Sequence, residues 1–294
     1  MKTIHNPKHI TLIISIISII STSLIACDKI EPGENGEYTI FAGTTATWTD
    51  GMPIASPVHR ALVEKYTGPQ CVNCPTADRI LNEAHDRIGD QMVILAITPG
   101  GGDGRPYSGQ PDMSTEDGDK WCETFGGGVN MTLPFAMVDR NVSYQGASTM
   151  NGVESAVNST IEQQPVAAVE AEATTATSGK VAITVNVNYL QDCDSAMTLT
   201  LALSEDSLAY YQAATPSEGG FQTAYKHNHM LRDVITDVWG FDIQAEGRAG
   251  EARKARFEYT LPDGVVKENC HIIAFVSYKK SRRVINCAQC EIDD

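Results

Sequence analysis

Apolar positions fall into three patterns along the chain. Residues 10–26, ITLIISIISIISTSLIA, form a single apolar run dotted with Ser and Thr. From Arg60 to Gln164, short apolar runs alternate with stretches of helical spacing. Arg60–Tyr66 (RALVEKY) has the length and composition of a strand. In Cys74–Ile88, apolar or small residues recur at Ala77, Ile80, Leu81, Ala84 and Ile88, the 3.6-residue period of a helix. Met92–Thr98 (MVILAIT) is continuously apolar, as expected of a strand covered on both faces. Pro99–Met113 is a loop rich in Gly, Pro and Asp. Ser114 or Thr115 can cap a helix that runs to about Phe125 and ends at Gly126–Gly128. Leu133–Asp139 predicts a third strand and Val142–Tyr144 a short fourth. Asn151–Gln163 predicts a helix with Val153, Val157 and Ile161 on one stripe, stopped by Pro165. The order βαβαββα predicts a mainly parallel sheet with helices on its faces.

From Val166 onward the helical period disappears. VAAVEAEAT, KVAITVNVNYL, MTLTLALSED, KARFEYTL, CHIIAFVSY and VINCAQCEI are alternating or β-branched runs separated by turn residues. That spacing predicts a β-sandwich. The expected division is therefore an α/β domain over 59–164 and an all-β domain over 165–294.

The apolar run at residues 10–26 follows Lys2 and Lys8, with no acid before it, which is the layout of a secretory signal. It ends in LIAC, Leu24–Cys27. A Leu three before a Cys, with a small residue between them, resembles the lipobox of bacterial lipoproteins. That resemblance implies a signal peptide over 1–26 and acyl chains on Cys27, enough to hold a protein on a membrane without a spanning helix. Residues 28–37, DKIEPGENGE, then read as an acidic, flexible tether within a lead-in that extends to residue 58.

The formal net charge of −15 disfavours nucleic acid as a partner. Of the eight cysteines, seven remain when Cys27 is set aside, an odd number that leaves one thiol unpaired within the chain.

Cys71-Val-Asn-Cys74 lies between the first predicted strand and its helix. Unpaired N–H groups and the helix dipole at that position stabilise a thiolate. With Pro134 in TLPF, just before a later strand, this segment resembles the thioredoxin fold. The resemblance implies that Cys71 attacks a substrate disulfide, Cys74 resolves the mixed disulfide, and Pro134 shapes the substrate groove. Glu64 falls near the position of a buried proton acceptor. The sequence departs from the family at Gln70, where a Trp is usual, at the Val-Asn dipeptide, and at Leu133.

Ala224–Gly240 (AYKHNHMLRDVITDVWG), together with ALVEKYTG, CVNCP, LPFAMVDR and VINCAQCEI, resembles a Bacteroidetes outer membrane lipoprotein family named for its twenty-eight-kilodalton member. This resemblance runs from about Arg60 to the end. It implies a thioredoxin-like domain followed by a β domain, anchored at the outer membrane on its periplasmic or cell-surface side.

Other constellations carry less chemistry. His227 and His229 would share one face of a strand, as a metal pair could, but no third ligand is near in sequence. Hydrogen bonding to Arg232 and Asp233 is the expectation for them. Cys193 and Cys270, each near a strand start, are candidates for a cross-strand disulfide. Cys287 and Cys290 would face opposite sides of a strand, and Cys122, beside Trp121, is the candidate buried free thiol. The carboxylates of residues 101–119 do not follow a calcium-loop spacing. No cofactor motif is present.

Two function classes stand on these grounds. One is a thiol–disulfide oxidoreductase acting on envelope proteins or peptides through Cys71 and Cys74. The other is a non-enzymatic lipoprotein that binds a protein or glycan and keeps the cysteine pair as a staple. The sequence leans narrowly to the first, and the two differ in whether the pair is exposed or buried.

Overall fold

The computed structural model describes residues 37–39, 45–243 and 245–294. The apolar leader, Cys27 and the acidic stretch to residue 36 lie outside the described residues. Two strands come first, β1 (Glu37–Thr39) and β2 (Thr45–Asp50). There follow β3 (Ala61–Tyr66), α1 (Cys74–Ile88), β4 (Met92–Ile97), α2 (Glu116–Phe125), β5 (Phe135–Val138), β6 (Val142–Gln145) and α3 (Asn151–Ile161). The rest is strand: β7 (Ala167–Thr175), β8 (Val181–Tyr189), β9 (Met197–Glu205), β10 (Leu208–Gln212) and β11 (Gln222–His227). These lead to β12 (Met230–Val234), β13 (Phe241–Asp242), β14 (Ala252–Tyr259), β15 (Cys270–Tyr278) and β16 (Val284–Asp293). Among the described residues no helix is long and apolar enough to cross a membrane.

The βαβαββα order from β3 to α3 is the one the periodicity predicts. Local signals explain it: Thr115 caps α2 by accepting from the Gly118 N–H at 2.9 Å, and Pro75 sits in the first turn of α1. The strand directions differ from the expectation. Only β3 and β4 are parallel in this segment, while β5 runs antiparallel to β3 and β6 antiparallel to β5. For β6 the physical reason is the tight turn after β5. Asp139 and Arg140 adopt φ of 53° and 55°, folding β6 straight back on β5 without a crossover helix.

Hydrogen bonding runs through both halves of the chain. The path is β1-β2-β14-β8-β7-β16-β15-β9-β12-β4-β3-β5-β6, with β13 on β9 and β10–β11 a separate hairpin. Met230 of β12 pairs with Ala96 of β4, and the Ala96 N–H donates to the His229 carbonyl at 2.7 Å. Four apolar clusters result among the described residues, and three of them are large. One lies among β7, β8, β9, β14, β15 and β16, including Val185, Leu201, Phe257 and Ile272. A second lies under α1 and α3, including Leu81, Ile94 and Val153. The third joins the halves: Leu62, Tyr66, Leu95 and Trp121 pack with Ala202, Leu231, Phe275 and Cys287. Trp121, fully buried there, donates its indole N–H to the Val238 carbonyl at 3.0 Å.

Candidate functional site

The turn from β3 into α1 is held by backbone bonds before any side chain acts. The Thr67 N–H donates to Ile97, Cys71 to Gly68 and Cys74 to Cys71. A Cβ at Gly68 would stand 2.4 Å from the Asp103 carbonyl oxygen, so glycine alone lets this turn meet the 102–104 loop. Cys71 and Cys74 form a disulfide with their Cα atoms 5.4 Å apart. Each residue is only 1% exposed, whereas Val72 between them is 47% exposed.

The cover over the cysteines comes from far along the chain. Gln212, at the end of β10 and itself buried, donates its amide N–H groups to the carbonyls of Cys71 (3.0 Å) and Gly68 (3.2 Å). The Ala213 N–H donates to the Pro69 carbonyl at 2.7 Å. Further out, Tyr225 of β11 donates its hydroxyl to Asp78 of α1 at 2.9 Å, and Glu218 accepts from Thr76 and Arg79 at 3.2 Å. Tyr107, Tyr211 and Phe221 meet in a three-ring cluster beside the loop, at centroid distances of 5.2–6.2 Å. Nothing in the composition of β10 or β11 announces this cover; their register against α1 creates it.

Pro134 follows a cis peptide bond and is buried. Its neighbours Leu133 and Phe135 belong to the same core cluster as both cysteines. Glu64 lies on that face of β3, but both its oxygens are taken by Arg140, at 2.7 and 2.8 Å. Both side chains are 1% exposed. The Arg140 guanidinium lies 4.8–5.0 Å from the ring centres of Trp121, Phe125 and Phe275. Both carboxylate oxygens of Glu64 are thus spent on Arg140. Sequence reading missed Arg140 and Gln212, because their partners are 76 and 141 residues away.

Among the described residues the remaining cysteines are free thiols: Cys122, Cys193, Cys270, Cys287 and Cys290. The expected Cys193–Cys270 bond is absent, for a geometric reason. Cys270 pairs with Glu205 at one end of β9, whereas Cys193 precedes Met197 at the other end. Nine strand residues span about 26 Å, far beyond the roughly 7 Å Cα separation a disulfide tolerates. Cys287 and Cys290 do face opposite cores of β16. Burial pushes the Cys122 thiol up to about 12, and those of Cys270 and Cys290 likewise, so none is a ready nucleophile near neutral pH.

His227 and His229 do not share a strand face. β11 ends at His227, and His229 turns the chain into β12 with φ of 62°. The His227 ring packs on Tyr225 (5.0 Å) and Tyr210 (6.3 Å), and burial pulls its pKa down to about 4. His229 lies 3.5 Å from the Asp206 carboxylate and 6.3 Å from the His85 ring. Arg232 and Asp233, the expected partners, bond elsewhere, to Glu205 at 3.2 Å and to the Tyr259 hydroxyl at 2.6 Å. Among the described residues no three His, Cys, Asp or Glu side chains are grouped to hold a metal ion. Asp119 of α2 accepts from the Gly100 N–H at 2.7 Å and Asp112 from the Ser114 N–H at 2.8 Å, so these carboxylates serve the chain's own backbone.

A family model described as outer membrane protein Omp28 matches residues 128–294, more than half of the chain. The chain belongs to the Omp28 family. Omp28 proteins are outer membrane proteins, and this chain is one of them. No curated protein matches it. Among solved structures, HBP35 of Porphyromonas gingivalis is similar at 16% identity and a TM-score of 0.57, covering 81% of this chain and 76% of its own. Protein AGR_C_4864 from Agrobacterium tumefaciens is similar at 14% identity and a TM-score of 0.51, covering 82% of this chain and 97% of its own. At these identities the likeness is one of fold, mixed α/β with a large sheet. A domain of the outer membrane lipoprotein Omp28 from Porphyromonas gingivalis aligns at 18% identity and a TM-score of 0.32, over 45% of this chain and 91% of that one.

Proposed function

We propose that this Omp28-family chain is an outer membrane lipoprotein, anchored through acyl chains on Cys27, that works by binding rather than by thiol exchange. In this reading residues 59–164 form a thioredoxin-like unit and 165–294 a β-sandwich, joined through one shared core. The Cys71–Cys74 disulfide staples the turn on which the β10–β11 hairpin rests. The observation that carries the reading is burial: both cysteines are 1% exposed, under a hairpin bonded to the carbonyls of Cys71, Gly68 and Pro69. Exchange requires an incoming thiolate to reach a sulfur in line with the S–S bond, and this cover blocks that approach. The occupied Glu64 supports the same reading, because a resolving thiol would find no free base there.

A second reading keeps thiol–disulfide exchange on envelope proteins, with Cys71 attacking and Cys74 resolving. It draws on the position of the pair in a strand-to-helix turn, in the same core cluster as the neighbours of Pro134. It needs the hairpin to lift. The test is a redox titration of the full chain with maleimide labelling, alongside a Cys71→Ser control. A potential below about −300 mV and no native labelling at Cys71 is expected. A potential between roughly −120 and −270 mV with selective labelling at Cys71 would replace the binding reading with exchange.

A further inference from the structure

The β15–β16 turn is Lys279-Lys280-Ser281-Arg282-Arg283, four cations in five residues of a chain whose net charge is −15. Most other cations described above are paired with carboxylates; here only Lys279 is, at 2.7 Å from Asp242. Lys280, Arg282 and Arg283 have no ion-pair partner among the described residues. The two guanidinium groups rest on rings instead, Arg282 3.5 Å from the Trp239 centroid and Arg283 5.2 Å from the Tyr278 centroid. Ring stacking orients a guanidinium while leaving its N–H donors unspent. The nearby buried carboxylate, Asp139, is already committed to the Leu62 N–H at 2.8 Å and the Thr160 hydroxyl at 3.0 Å.

Beside this turn lies an open cavity of about 920 Å³, bounded by Arg283, Lys280 and Tyr278 with Asn141 and Ser195. That volume matches small-ligand sites, which run from roughly 300 to 1,000 Å³. Arg140 reaches its wall, with its Nε and Nη2 already donating to Glu64. We propose that the turn and cavity form a binding site for a phosphate monoester on a sugar-sized body. A dianion matches several unpaired cations, and a guanidinium fork bonds two phosphate oxygens at once. The neutral side chains of Asn141 and Ser195 suit the hydroxyls of an attached sugar. A long polyanion is disfavoured, because beyond a Debye length of about 8 Å the acidic remainder repels it. The phosphate can come from a soluble sugar phosphate or from a headgroup in the membrane.

The test uses the mature chain carrying Cys27→Ser, which has no acyl anchor to carry it into vesicles and needs no detergent. Glucose 1-phosphate is titrated by calorimetry, with glucose as the uncharged control. Vesicles of phosphatidylcholine with and without phosphatidic acid are tested by flotation. The expected result is binding of glucose 1-phosphate, of phosphatidic acid vesicles, or of both, and none of glucose or pure phosphatidylcholine. Lys280→Ala with Arg283→Ala should weaken it at least tenfold, and Lys254→Ala on β14 should leave it unchanged. Sugar phosphate alone assigns the soluble source, and vesicles alone assign the headgroup. Raising salt from 50 to 500 mM should weaken wild-type binding strongly, a readout independent of the variants' folding. Failure of both probes to bind, or binding indifferent to the double variant or to salt, overturns the proposal.

Discussion

Glu64 and Lys65 are neighbours on β3 and point to opposite faces of one sheet. Each forms a buried ion pair, and the two pairs are built differently. Glu64 meets Arg140 in a two-pronged bond enclosed by Trp121, Phe125 and Phe275, both side chains 1% exposed. Lys65 meets Asp78 at 2.8 Å, with side-chain exposures of 5% and 11%, and Asp78 also accepts from Tyr225. The first pair is dry, and aromatic rings from both halves of the chain close over it. The second is part of a polar network that ties the β10–β11 hairpin to α1. A buried pair repays its desolvation only when every charge and donor is met, and the two faces meet that requirement by different means, rings on one and a hydroxyl on the other.

The comparison can be broken most sharply at Arg140. Arg140→Ala leaves Glu64 buried without a counter-charge, and chemical denaturation should show a loss of about 3–5 kcal/mol. Replacing the pair together by Leu and Met should recover most of that loss, because the rings then pack on apolar atoms. A double variant as unstable as the single one would mean that the ion pair itself sustains this core.

Acid should act on the second face. His227 packs against Tyr225 beside Asp78 and Lys65, and its pKa is pulled down to about 4, first by burial and then by Lys65, against the pull of Asp78. A group depressed in the folded state contributes stability above its unfolded value near 6.5, and that stability is lost as pH falls toward 4. Asp139 works in the other direction. Burial raises its carboxyl to about 6, so it contributes stability at low pH that is lost as pH rises through 6. The histidine shift is the larger, and His229, also near 4, adds to it. A net loss on the order of 2 kcal/mol is expected between pH 7 and pH 4. His227→Phe should flatten that profile; an unchanged slope would assign the acid sensitivity elsewhere.

Removing the disulfide with Cys71→Ser and Cys74→Ser should cost about 2 kcal/mol, the entropy of closing so short a loop. Hydrogen exchange should then rise in β10 and β11, whose bonds rest on that turn, and stay unchanged around Arg140. Smallest is Tyr225→Phe, expected at about 1 kcal/mol from one buried hydrogen bond to a carboxylate. Faster exchange confined to the hairpin would place Tyr225 as its clasp on α1.

Much of the architecture was legible in the sequence, for identifiable reasons. α1, α2 and α3 carry an apolar stripe of period 3.6 with capping or Pro signals at their ends, and they appear within two residues of the expected bounds. The continuous apolar run of β4 and the alternation in β8 and β14 mark strands by local composition. β10, β11 and β12 lay hidden in short mixed runs, LAYYQ, QTAYKH and MLRDV, whose strand character comes from the neighbours they pair with. At the candidate site, the spacing of Cys71 and Cys74 is local, and so is the Pro before β5.

By itself the sequence determined which segments are helix or strand, that two cysteines stand at the entry to a helix, and that the turn at 279–283 is basic. Those are properties of residues a few positions apart. Only the tertiary structure decided that the cysteines are covered, that Glu64 is spent on Arg140, that Cys193 and Cys270 lie at opposite ends of β9, and that three turn cations stay unpaired. Each of these depends on which groups meet across a sheet or a core, over separations of tens to hundreds of residues. Burial and pairing are set by that packing, and no local pattern encodes it.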